Sequence, residues 1–128
     1  MSKITFKDGI PAFEEYKNYQ IEIDEDNPFH KLQSLDQAEL SFIIIDPFTI
    51  KPDYDFNLTD STIEKLEIEN VKDIAVYTMV TISNDDYKNM TTNLLAPMII
   101  NTKNNLAKQI ILTDTDYKTK HKIIESGE

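Results

Sequence analysis

The chain has 128 residues, a net charge of −10, two glycines, no cysteine and no arginine. That length suits one domain burying roughly two-thirds of its unfolded surface. The lack of cysteine excludes disulfides, thiolate zinc sites and a cysteine nucleophile, and an acidic chain without arginine makes RNA or DNA a poor expected ligand.

The opening stretch, MSKITFKDGIP, has no apolar core of signal-peptide length, and no run approaches the roughly 18 apolar residues of a membrane span. A cytoplasmic protein is expected. The charge is uneven. Residues 103–128 hold five lysines against four acids, whereas residues 1–102 hold eight lysines against nineteen acids, a net of −11. Such a field favours encounter with a basic partner. The competing reading is that acidity serves only solubility.

In chain order, ITF (4–6) reads as a first strand and DGIP (8–11) as a turn. YQIEID (19–24) alternates Ile21 and Ile23 with polar residues, the pattern of a half-buried strand. DEDNP (24–28) is a turn, FHKLQSL (29–35) a strand, and LSFIIID (40–46) a central, near-continuously buried strand ended by Pro47. Residues 58–68 suit a short helix. Thr59, Asp60 and Ser61 are candidate N-caps, and Ser61 with Glu64 has capping-box spacing. DIAVYTMVTIS (73–83) has the strongest period-2 alternation in the chain. Residues 84–89 and 101–105 are polar turns, and AKQIILTD (107–114) is the last strand. With so little glycine, the turns must rest on Asn, Asp and Pro. The reading is mainly β: a small antiparallel barrel-like single domain over 1–117, one short helix near residues 60–67, and a polar tail over 118–128 that frays.

Catalytic constellations are not found. His30 and His121 are far apart, GxSxG is absent, and glycine is too rare for a phosphate-cradling loop. DEDN (24–27) starts like a calcium loop, but Phe29 and Leu35 stand where Gly and Glu are required. The pairs Asp53/Asp55 and Asp114/Asp116 read as solvated turns. No metal, cofactor or enzymatic activity is expected. Acids and aromatics interleave over 46–56, with Phe48, Tyr54 and Phe56 beside Asp46, Asp53 and Asp55. They form either aromatic anchors in a charged rim or a plug for one end of the barrel.

Several stretches together resemble the bacterial flagellar assembly factor FliW family: GIPAFEEYKNY (9–19), DNPFHKLQSLD (26–36), FIIIDPF (42–48), PDYDF (52–56), VTISND (80–85), MTTNLLAPMIIN (90–101) and QIILTDTDY (109–117). Ala12 departs from the family's usual GIPGF, which matters only if that backbone needs a positive φ. The resemblance implies a small, mostly antiparallel β fold without catalysis, located in the cytoplasm. It implies two protein partners: flagellin, and CsrA, a small basic RNA-binding repressor of flagellin translation. It also implies partner exchange, in which flagellin holds this antagonist until export releases it to capture CsrA. The alternative is a general acidic chaperone for flagellin without CsrA antagonism.

In NLLAPMIIN (93–101), Leu94, Ala96, Met98 and Ile100 share one phase, and Asn93, Leu95, Pro97, Ile99 and Asn101 the other. One face is expected to pack the barrel and the other its neighbours, with Pro97 at a bulge or edge. An edge beside exposed apolar groups is a place for a peptide to dock; purely structural use of the motif is the competing reading. The candidate partner contacts are Asp24, Glu25, Asp26, Phe48, Asp53, Tyr54, Asp55, Asn93, Leu95 and Pro97.

Overall fold

The computed structural model of the chain describes residues 3–23, 25–82 and 87–123. Its strands are β1 (Ile4–Phe6), β2 (Asn18–Ile23), β3 (Phe29–Ser34), β4 (Ser41–Ile45), β5 (Ile74–Thr81), β6 (Thr91–Thr92), β7 (Met98–Asn101), β8 (Leu106–Gln109) and β9 (His121–Lys122), with one α-helix, α1 (Asp60–Lys65). Seven strands pair in the order β4-β3-β2-β1-β8-β7-β5, and β5 pairs back to β4, so the sheet closes. The barrel expected from the alternating strands is therefore present. It is not wholly antiparallel, because β1 runs parallel to β8 through Thr5–Leu106 and Phe6–Ala107. β6 and β9 extend β5 outside the barrel.

Alternation along each strand fills the interior. Phe6, Tyr19, Ile21, Leu32, Ile44, Met98 and Ile100 form the inner cluster, with Phe42, Tyr77 and Met79 packed on it. The Phe6 and Tyr19 rings meet edge to face at 5.4 Å, as do Phe13 and Phe42. The alternation ends at the barrel mouth. Ile23, expected on the buried face with Ile21, is the last residue of β2 and 56% exposed, while Leu35 lies beyond β3 and is exposed. β4 is not buried throughout either: Ile44 and Ile45 are covered, but Ile43 points outward and is exposed.

The turns rest on polar side chains. The side-chain carbonyl oxygens of Asn27, Asn70, Asn101 and Asn104 each accept from the backbone N–H two residues ahead. Ser34 Oγ accepts from the N–H of Asp36 and Gln37, and Asp36 Oδ2 accepts from those of Lys17 and Asn18 at 3.0 Å. The SLD stretch is thus a brace joining the end of β3 to the start of β2.

α1 is capped by Thr59, whose Oγ1 accepts from the N–H of Thr62. Ser61 is already inside the helix, so its capping-box spacing with Glu64 goes unused as a cap. The helix ends with Glu67 at φ 54 and the Ile68 N–H bonded to the Ile63 carbonyl, a left-handed cap of the Schellman kind. Buried Asn101 secures it by donating to the Leu66 and Glu67 carbonyls.

The C-terminal part departs most from expectation. The strand foreseen over 107–114 ends at Gln109, although the Ile110 and Leu112 N–H groups still bond to the carbonyls of Pro97 and Leu95. Of the tail expected to fray over 118–128, residues 118–123 are held and 124–128 lie outside the described residues. The Lys118 carbonyl accepts from Leu94, His121 and Lys122 pair with β6, and Ile123 donates to Met90. Pro97 marks neither an edge nor a bulge. It immediately precedes β7, which is paired on both sides; its carbonyl still accepts from Ile110 but it has no N–H to return, and the regular pairing begins at Met98.

Gly9 (φ 72) and Ala12 (φ 76) both lie in the left-handed region. A Cβ at Gly9 would meet the backbone of Glu14 at 2.4 Å, so only glycine fits there. Exposed Ala12 carries its Cβ at an energetic cost. Ala12→Gly is expected to stabilise the chain by about 1 kcal/mol, net of the added freedom of the unfolded state. The check is a urea melt whose midpoint rises at unchanged slope.

Candidate functional site

A second apolar cluster lies on the outside of the barrel wall. Tyr54, Leu94 and Leu112 form it, with Phe56, Val76, Leu95, Ile110 and Tyr117 packed around them. Tyr54 is 3% exposed and donates its hydroxyl to the Leu94 carbonyl at 2.6 Å. Its ring touches those of Phe48, Phe56 and Tyr117. The Tyr117 hydroxyl accepts from the Asp55 N–H at 2.9 Å and donates to the Asp55 carbonyl at 3.0 Å, clamping the segment that carries Tyr54. Burial raises the Tyr54 hydroxyl above its ordinary ionisation range, with the neighbouring Tyr117 adding to the effect.

Beside this cluster opens a cleft of about 620 Å³. Its floor is the first half of β5, from Ile74 to Tyr77. One wall is the 3-10 turn Pro47–Thr49 with the segment 54–58, and the other is α1 with the Val71–Asp73 turn. Asp46 makes the first wall by accepting from the Phe48 N–H at 2.9 Å, which turns the chain sharply out of β4. The lining is mostly apolar. Val71 is 79% exposed, Phe48 42% and Ile63 36%, a marked outlay of large apolar side chains toward solvent. The charged lining residues are Asp46 and Asp55, both acidic.

The candidate contacts divide by location. Phe48 and Asp55 line the cleft. Tyr54 is buried and so is not a surface anchor, and it does not plug the barrel end; with Phe56 it belongs to the outer cluster. Leu95 packs on that cluster. Asn93 spends its side-chain oxygen on the N–H groups of Leu95 and Ala96, and Pro97 is buried. That turn breaks the phase of the motif, which is why Leu94 sits in the outer cluster while Met98 and Ile100 fill the barrel. Asp53 is exposed and pairs with Lys51 at 3.2 Å. Glu25 and Asp26 are exposed in the β2–β3 turn, on a different element, and Asp24 lies outside the described residues. Ile63, Val71 and Val76 are not in the expected set: Ile63 and Val71 stand among polar residues, and Val76 reads as one more residue of an alternating strand, so nothing local marks any of them as cleft lining.

Neither histidine builds a reactive site. His30 is half-buried at the barrel mouth, its ring against Tyr77 and its Nδ1 without a partner among the described residues. Asp53, Asp114, Asp116 and His121 border one shallow depression, shared with Lys51 and Lys118. No group of three or more potential metal ligands occurs among the described residues, and no described helix is long and apolar enough to cross a membrane.

Fold and cleft define a small closed-barrel protein with an acid-rimmed apolar recess on its outer wall. The FliW protein family model matches residues 1–123. The flagellar assembly factor FliW of Alkaliphilus metalliredigens is 46% identical over 124 residues, covering 95% of this chain and 76% of that one. Its counterpart from Bacillus subtilis is 45% identical over 121 residues, covering 94% and 84%. A crystal structure of the flagellar assembly factor FliW, 40% identical, matches with a TM-score of 0.90 over 98% of this chain and 88% of that one. The chain belongs to the FliW family of flagellar assembly factors.

Tyr54→Phe removes the buried hydroxyl and leaves the Leu94 carbonyl unpaired, a cost of about 1–3 kcal/mol at neutral pH. Because the folded chain holds this hydroxyl protonated above its ordinary value of 10.0, its contribution is complete below pH 10 and is lost as pH rises beyond it. The alkaline fall in stability should therefore be shallower in the variant. Urea melts between pH 8 and pH 11 measure both effects.

Proposed function

We propose that this chain is a cytoplasmic, non-catalytic regulator that binds flagellin and antagonises the translational repressor CsrA. While flagellin is abundant inside the cell, it occupies the factor. Its export frees the factor to capture CsrA, and flagellin translation resumes. Membership of the FliW family supports the flagellar role. The observation that carries the CsrA half is electrostatic: a net charge of −10 with no arginine, and −11 over residues 1–102. A protein that takes a basic repressor away from RNA gains twice from this. Its field draws the repressor in, and it raises the cost of keeping phosphate close by.

A general acidic chaperone is the second reading, favoured by the exposed apolar cleft. Purified flagellin and CsrA separate the two, since such a chaperone binds the first and not the second. Under the proposal, replacing Asp24, Glu25, Asp26, Asp53 and Asp55 by Asn lowers the CsrA association rate severalfold and flattens its salt dependence. The dissociation rate changes little, because exposed charges act over the roughly 8–10 Å screening length and mainly on encounter. Stopped-flow kinetics at two salt concentrations give the answer, and an unchanged association rate in a folded variant would assign these acids to solubility. The factor alone should leave flagellin leader RNA unshifted in a gel.

A further inference from the structure

β5 is paired on both sides along only part of its length. Toward β7 its pairs run from Ile74–Asn101 to Tyr77–Met98. Toward β4 they are Ile45–Thr78 and Ile44–Met79, and they stop there. The Thr102 N–H donates to the Asp73 carbonyl at 2.7 Å, which fixes the alternation. Asp73, Ala75 and Tyr77 turn their backbone groups toward β7, whereas Ile74, Val76 and Thr78 turn theirs toward the β4 side.

Continuing the β4–β5 register would place Pro47 opposite Val76. Pro47 has no N–H, and its carbonyl already accepts from Ile50 and Lys51 at 3.2 and 3.0 Å. The Ile74 N–H is taken by the Val71 carbonyl. The Val76 N–H, the Val76 carbonyl and the Ile74 carbonyl are left without a backbone partner among the described residues. Ile74 and Val76 both line the 620 Å³ cleft. A closed barrel normally hides its strand edges; here a three-group stretch of edge lies open at the bottom of an apolar recess.

We propose that this notch is a strand-addition site for an extended, cationic segment of a protein partner. Main-chain pairing to Ile74 and Val76 supplies register and affinity, as in other complexes where a peptide completes a sheet edge. Apolar side chains of the segment lie against Phe48, Ile63 and Val71. The sign of the charge follows from the lining, which presents Asp46 and Asp55 and no lysine. A Lys or Arg on the segment finds a carboxylate at the mouth, whereas an acidic segment meets repulsion and no counter-ion.

The inference rests on the reading that this chain captures a basic protein, so CsrA is the probe, with flagellin as comparison. Amide hydrogen exchange on the whole chain reads the edge directly. Without partner, the Val76 amide should exchange about tenfold or more faster than those of Ala75 and Tyr77, and saturating CsrA should abolish that difference. Val71→Lys and Asp55→Lys alter exposed side chains and should spare the fold. Each should weaken CsrA affinity about tenfold while changing flagellin affinity less than twofold. If the wild-type chain binds CsrA with Val76 exchange unchanged and both variants at full affinity, the notch is not the seat and the inference falls alone. A wild-type chain that does not bind CsrA removes the functional reading beneath it. Protection of Val76 by flagellin and not by CsrA overturns the cationic occupant.

Discussion

The pairing of β4 with β5 closes the barrel, and it is short. Ile44 opposite Met79 and Ile45 opposite Thr78 form the whole seam. Without it the sheet would be an open ribbon with two long edges, and the inner cluster around Phe6, Tyr19 and Leu32 would lose one wall. Pro47 sets the seam's length, because a residue with no N–H cannot carry the ladder further. Asp46 then folds the chain back over the outer wall through its bond to the Phe48 N–H. Closure of the core and opening of the cleft therefore share one origin, the Asp46–Pro47 step.

A chain with two glycines has to make sharp connections by other means. Asparagine and aspartate side chains do so here by replacing backbone partners at the turns. The residues that give the FliW motifs their distinctiveness are mostly of this kind. Asp36 braces β2, Asn93 caps the turn before Pro97, and Asn101 holds the end of α1. These are architectural tasks, and none of the three residues lines the cleft.

The two surface properties divide the work of recognition. Negative charge is spread over many exposed acids and acts at a distance, where salt weakens it. The cleft acts only in contact, by removing Phe48, Ile63 and Val71 from water and by offering backbone groups that the barrel leaves unpaired. A partner drawn by the first and seated by the second would owe its rate of arrival and its lifetime to different residues.

The sequence by itself determined the class of fold, most strand positions, the short helix and the acidity, because these follow from local periodicity, turn chemistry and composition. The alternation in 73–83 and the Pro47 stop are read from a few neighbouring residues. It also carried enough family motif to identify the FliW family. It could not determine which strands close the barrel, that β1 lies parallel to β8, or that residues 118–123 are tied to β6 and its surroundings, since pairing partners distant along the chain leave no local trace. For the same reason the sequence leaves Tyr54 open between a surface anchor and a plug of the barrel end, whereas it is buried in the outer cluster: its burial comes from Leu94, Leu112 and Tyr117, 40 to 63 positions away. Only the tertiary structure decided that Ile63 and Val71 line one cleft with the first half of β5, and that the backbone of Val76 faces a proline that cannot pair with it.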